Sequence, residues 1–92
     1  MNEKLTLKLI TPSGDNKTVN CDSITLQIGD DMNGKGAGSY GIRRGHAAAV
    51  LAVAKGSVRA MLDGRTILSV NVSGGFAMVK ENTVTINAEY ID

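Results

Sequence analysis

Side-chain polarity alternates with a period of two residues along most of this chain, a pattern that suits extended strands and not helices. Leu5, Leu7 and Leu9 alternate with Thr6 and Lys8, and Ile24, Leu26 and Ile28 alternate with Thr25 and Gln27. Val58, Ala60 and Leu62 face one way before Asp63-Gly64 turns the chain into the run 66–72. An Asp-Gly between two such runs is a hairpin signal. The runs Phe76-Ala77-Met78-Val79 and Thr83-Val84-Thr85-Ile86 follow, joined by Lys80-Glu81-Asn82. Strands at this spacing, with turns between them, predict an all-β fold: a two-sheet antiparallel β-sandwich of about 8 to 10 short strands.

The 92 residues make a single domain, 1–92, because chains divide only at larger sizes. Hydrophobic residues are 42% and charged residues 21%, which puts the chain with folded soluble proteins and not with disordered ones. Tyr40, Phe76 and Tyr90 are the only aromatics, so the core has to be aliphatic. A core this modest gains from docking onto a partner. Ten basic and nine acidic residues form no basic stripe, and few aromatics are present to stack on bases, which argues against nucleic acid. Cys21 stands alone, which rules out a disulfide framework and fits a reducing compartment; a small buried residue is the favoured reading over a reactive thiol. Met1-Asn2-Glu3-Lys4 opens no apolar signal region, and no run reaches the roughly 18 apolar residues of a membrane span. A cytoplasmic protein is expected.

Residues 46–56, HAAAVLAVAKG, fit either a helix stopped at Lys55-Gly56 or a strand. Propensity slightly favours the helix, but the surrounding strand pattern favours the strand, which is the expectation taken. The segment from Gly29 to Gly45 carries six glycines and predicts a long loop of the kind that serves function or mobility. Within it, Gly36, Gly38 and Gly41 spell G-x-G-x-x-G, the dinucleotide-binding pattern. That pattern needs a parallel strand before it and a helix after it. Here the strand ends at Ile28, and Ile42-Arg43-Arg44-Gly45 stands where the helix should start, so no cofactor is expected. Gly34-Lys35 is followed by Gly36, not Ser or Thr, which excludes a phosphate-binding P-loop. His46 is the only histidine, too few for a His-based metal site or a Ser-His-Asp relay. Ser39, Ser57, Ser69 and Ser73 carry no nucleophile signature, and Asp30-Asp31 reads as a solvated loop start. No catalytic residue and no metal ligand is expected.

The order of the remaining motifs is more specific. Ser39-Tyr40-Gly41-Ile42 precedes Gly45-His46-Ala47 and an aliphatic strand, and Lys55-Gly56-Ser57-Val58-Arg59 follows. Then come Val72-Ser73-Gly74-Gly75-Phe76-Ala77-Met78-Val79 and Asn82-Thr83-Val84-Thr85-Ile86. This combination closely resembles the N-terminal β-sandwich domain of the F-type ATP synthase epsilon subunit, called delta in mitochondria, over almost the whole chain. The turn departs from the family pattern at Arg44, where proline is usual. The drawn-out loop through Lys35 is more similar to the divergent, sometimes sodium-coupled branch. The family's C-terminal helical pair is expected to be naturally lacking or removed, since the sequence stops at Asp92.

The resemblance implies a non-catalytic rotor subunit that links the gamma subunit to the membrane c-ring and couples ion translocation, of protons or sodium, to ATP chemistry. It would lie on the inner face of the membrane, reached only through the complex. The alternative is a stand-alone β-sandwich protein-binding module. Carried over by position, Thr11, His46, Ala49, Val50 and Leu51 fall on the gamma side. Asp30, Asp31, Met32, Ser39 and Tyr40 fall on the c-ring side, with Tyr40 as an amphipathic anchor; a plain solvent loop is the other reading. His46 equally fits a half-buried histidine satisfied by backbone. Gly41 and Gly45 are expected to bracket a tight reversal, and Gly74-Gly75 to break one strand and reorient the next.

Overall fold

A computed structural model describes residues 4–14, 16–29 and 38–92. Asp30, Asp31 and Met32 lie outside the described residues. Nine strands and no helix are found among the described residues. They are β1 (Leu5–Ile10), β2 (Lys17–Cys21), β3 (Ser23–Ile28), β4 (Gly38–Arg43), β5 (Ala49–Val53), β6 (Gly56–Leu62), β7 (Arg65–Val72), β8 (Gly75–Lys80) and β9 (Thr83–Ala88).

Hydrogen bonding runs β2-β1-β9-β8-β5, then β3-β6-β7, with β4 on the other edge of β3. Among the described residues β3 and β5, the strands that join the two halves, pair only where Ile28 lies opposite Val53. That corner folds β2-β1-β9-β8-β5 over β4-β3-β6-β7 and makes the sandwich. One pairing departs from the all-antiparallel expectation: β1 and β9 run parallel, from Thr6 opposite Thr83 to Ile10 opposite Asn87. Parallel neighbours cannot be joined by a tight turn, and here the rest of the domain serves as their connection.

Alternation does the sorting. Leu5, Leu7, Leu9, Ile24, Leu26, Ile42, Val58, Val84 and Ile86 are fully enclosed, and the buried cluster contains no aromatic residue. Cys21 is part of that core, and burial, followed by the charge of Asp22, pushes its thiol pKa up, which leaves it protonated and unreactive. Within the ambiguous segment 46–56, Ala49–Val53 forms strand β5, paired over five positions with β8. Sheet context overrides the helix propensity of its alanines.

Asp63 (φ 52°) and Gly64 (φ 78°) close the β6–β7 hairpin with two left-handed residues, and Glu81 (φ 51°) and Asn82 (φ 59°) close β8–β9 in the same way without glycine. Gly45 is left-handed at φ 81°, so the reversal after β4 needs its lack of a Cβ. Gly41 does not bracket that reversal: it sits inside β4 opposite Thr25, without left-handed φ and with open space where a Cβ would stand. Gly74-Gly75 does reorient the chain between β7 and β8, at φ 102° and 147°.

Asp22 holds one end of the sandwich together. One carboxylate oxygen accepts the Asp63 N–H at 2.9 Å, and the other takes the Lys4 ammonium at 3.1 Å. The backbone hydrogen bond first, and Lys4 second, lower its pKa below the usual aspartate value. A carboxyl with a depressed folded-state pKa adds stability above its unfolded value of about 3.9 and loses it as pH falls through the folded value. Asp22→Asn is therefore expected to flatten the acid limb of the stability–pH curve, with little change in slope near neutrality. Urea midpoints measured from pH 2 to 7 check this.

Candidate interaction site

The register aligns an apolar surface on the outer face of β1, β9, β8 and β5. One row across the strands reads Ile10, Asn87, Phe76, Ala52, and the next reads Lys8, Thr85, Met78, Val50. Ile10 is 37% exposed, Phe76 47%, Met78 48% and Val50 70%. The odd-numbered residues of β8, Ala77 and Val79, fill the core, so large apolar side chains stand on both faces of this strand. A strand apolar on both faces is built to be covered on both. Above the patch a shallow groove opens between Ile10, Pro12, Gly75, Phe76 and Ala88. Toward β2 the same face turns polar through Lys8, Thr85 and Thr18, so the apolar half is a bounded patch of the kind that marks docking sites.

The residues singled out from sequence divide differently. Val50 points out beside Met78, but Ala49 and Leu51, on the alternate face of β5, are partly buried, with Leu51 packed against the core. Thr11 is 5% exposed; its hydroxyl pairs with Ser13 at 3.1 Å, and its N–H donates to Asn16 Oδ1 at 3.2 Å. Its side chain is tied into its own loop, at the margin of the groove beside Ile10 and Pro12. Ile10, Phe76 and Met78 were missed, although the alternation of β8 puts Phe76 and Met78 opposite the core-facing Ala77 and Val79.

His46 and Tyr40, expected on different partner surfaces, are in direct contact. His46 Nδ1 lies 2.7 Å from the Ala47 carbonyl, which can only accept, so Nδ1 carries the proton. In the neutral ring Nε2 then accepts the Tyr40 O–H at 2.8 Å, with the rings edge to face at 5.7 Å between centroids. Tyr40 is half-buried against the core, so it is not an exposed anchor. The Gly45 N–H donates to Asn82 Oδ1 at 2.8 Å and ties this turn to the β8–β9 hairpin. Ser39 is exposed and accepts from Gln27 Nε2 at 3.2 Å.

The register also sorts the turns between the two ends of the sandwich. Asp22, the Gly45–His46 turn and the β6–β7 and β8–β9 hairpins share one end. Gly29, Gly38, the 11–16 loop and Ser73 to Gly75 share the other. Among the described residues no three His, Cys, Asp or Glu side chains group as metal ligands, and no helix is long and apolar enough to cross a membrane.

Fold and surface together define a small β-sandwich with an exposed apolar sheet face. Residues 4–91 match the family model for the ATP synthase delta/epsilon chain β-sandwich domain, and the chain belongs to that family. Among solved structures it is similar to a chain of the Euglena gracilis mitochondrial ATP synthase OSCP/F1/c-ring complex, at TM-score 0.77 and 23% identity. That match covers 100% of this chain and 54% of the other, so the domain spans about half of its relative. A chain of the Tetrahymena thermophila mitochondrial ATP synthase central stalk and c-ring matches at TM-score 0.71 and 18% identity, covering 99% of this chain and 67% of that one. A comparison with curated proteins finds no match.

Proposed function

We propose that this domain is a non-catalytic rotor element of an F-type ATP synthase, held between the gamma subunit and the membrane c-ring and coupling ion translocation to ATP chemistry. The observation that carries the reading is the exposed apolar face of Phe76, Met78, Val50 and Ile10 on a domain of the delta/epsilon family. The gamma subunit covers this face, with Val50 as the contact foreseen on β5. The c-ring meets the end bearing Gly29, Gly38 and Ser39; Asp30, Asp31 and Met32, proposed for the same contact, lie outside the described residues. Tyr40 and His46 serve as a brace for the turn after β4. The domain reaches the inner face of the membrane only through the complex, and it transmits torque without binding nucleotide.

Calorimetric titration of the domain with the gamma subunit is expected to give a one-to-one complex with a negative heat-capacity change, the mark of apolar burial. ATP hydrolysis by the domain alone should stay at background. Failure to bind gamma at micromolar concentrations would reject the proposal.

A further inference from the structure

The apolar face ends at β5, which β3 joins only at Val53 among the described residues. Even-numbered positions along this strand turn their main-chain groups away from β8. The Ala52 carbonyl accepts the Gly29 N–H at 3.3 Å, and the Ala54 N–H donates to the Gln27 carbonyl at 2.8 Å, both from the β3 side. β3 reaches no farther along β5 than Val53. Val50, two residues from Ala52, has the same orientation, opposite Met78 in a pair that exchanges no main-chain bonds. Among the described residues no other strand pairs with β5 at Val50 and no main-chain partner faces its N–H and carbonyl on the side away from β8, and its side chain is 70% exposed.

Edge strands are ordinarily guarded against pairing by charge, proline, a bulge or a cover. The other edges here are guarded: β2 opens on Lys17, β4 ends in Arg43, and β7 starts at Arg65 and is paired at Asn71 by Asp92. β5 reads Ala-Val-Leu-Ala-Val, with no charge or proline of its own. An apolar edge of this kind, continuous with an apolar face, calls for a single cover over both. A helix has no free main-chain groups to offer the edge, but an extended segment has, at the right two-residue period.

We propose that the open edge of β5 at Val50 accepts an extended strand of the partner subunit that seats on Phe76 and Met78, so that the two proteins share one sheet. This rests on the function proposed above, with gamma as that subunit. Alternate side chains of the incoming strand lie beside Val50 and should be apolar.

Amide hydrogen exchange of the intact domain, alone and saturated with gamma subunit, tests it. The Val50 amide is expected to exchange freely in the domain alone and to slow by at least about tenfold in the complex. Val50→Pro removes only the outward N–H, at an edge position that accepts proline, and is expected to weaken gamma binding about tenfold or more. Val50→Thr keeps that N–H and alters only the side-chain contact, so it is expected to lose clearly less affinity than Val50→Pro. A complex in which the Val50 amide still exchanges fast, or Val50→Pro binding like the parent, overturns the shared sheet but leaves the face as the docking site. Absence of any gamma binding rejects the function itself and this inference with it. Protection of Val50 in the domain alone, with a dimer mass in sedimentation, assigns the edge to a second copy and overturns the proposal. Should Val50→Pro fail to fold, the exchange measurement on the parent decides.

Discussion

Gly75→Ala is expected to destabilise the domain by about 3 to 5 kcal/mol, a large part of the roughly 5 to 15 kcal/mol that holds a domain together. Two effects combine. The backbone at Gly75 has φ 147°, a region that residues with a Cβ rarely adopt. A Cβ there would also drive into the main-chain carbonyl of Asn87 and close on Ala88 Cα. Both belong to β9, which pairs with β8 through Gly75 opposite Ala88, so relief means prying apart a strand pair beside the core. The neighbouring geometry is tied as well: Ser73 Oγ accepts the N–H groups of Glu89 at 2.9 Å and Tyr90 at 3.1 Å and holds the end of β9 against the bend. Gly41→Ala is the matched comparison. It meets open space without left-handed φ, and its effect should stay within about 1 kcal/mol. Urea denaturation of both variants measures the contrast; a loss below about 1 kcal/mol for Gly75→Ala would show that the bend relaxes freely.

Phe76→Asp is expected to reduce affinity for the gamma subunit by about 30-fold or more while shifting Tm by no more than a few degrees. Truncation of a central apolar contact in an interface commonly costs about 2 kcal/mol or more, and an aspartate adds the burden of a buried charge. In the free domain Phe76 is 47% exposed and stands on the face opposite the core, so the charge meets water and stability changes little. Lys8→Ala, on the polar half of the same face, is the control and should bind within a few-fold of the parent. Equal loss of folding stability and binding in Phe76→Asp would mean that the face serves the domain and not a partner. Unchanged binding would move the interface elsewhere.

Most strands were legible because each obeys a local rule. The exceptions are β2, and β4 (Gly38–Arg43), which lies in the glycine-rich segment read as a loop but pairs along its whole length with β3. Leu5, Leu7 and Leu9 alternate with polar neighbours, and every one of the three is buried in β1. Asp63-Gly64 announced its turn through residues that accept positive φ. The Glu81-Asn82 turn has the same geometry but no glycine, so only the strand runs on either side located it. Motif order carried the family, since four short pieces in sequence identify a fold better than any one of them. The interaction surface was much less legible. Position-by-position transfer along β5 put Ala49, Val50 and Leu51 together on one surface, but a strand sends neighbours to opposite faces, and only Val50 turns outward. Tyr40 and His46 were read apart because they lie in different motifs; the fold brings Tyr40 from β4 onto the turn that follows it.

For β1, β3, β6, β8 and β9 the sequence by itself determined that the segment extends and which residues face inward, because the two-residue period is a property of the local chain. It also determined that the interior is aliphatic and that Asp63-Gly64 turns back on itself. Only the tertiary structure decided that β1 and β9 lie parallel, that Phe76 and Met78 share a surface with Ile10 and Val50, and that among the described residues β5 has no second strand beside it at Val50. Those features depend on which strand lies beside which. Neighbours in the sheet are as far apart in the chain as Ile10 and Asn87, and the pairing follows from closing one core between two sheets, a condition that no local segment carries.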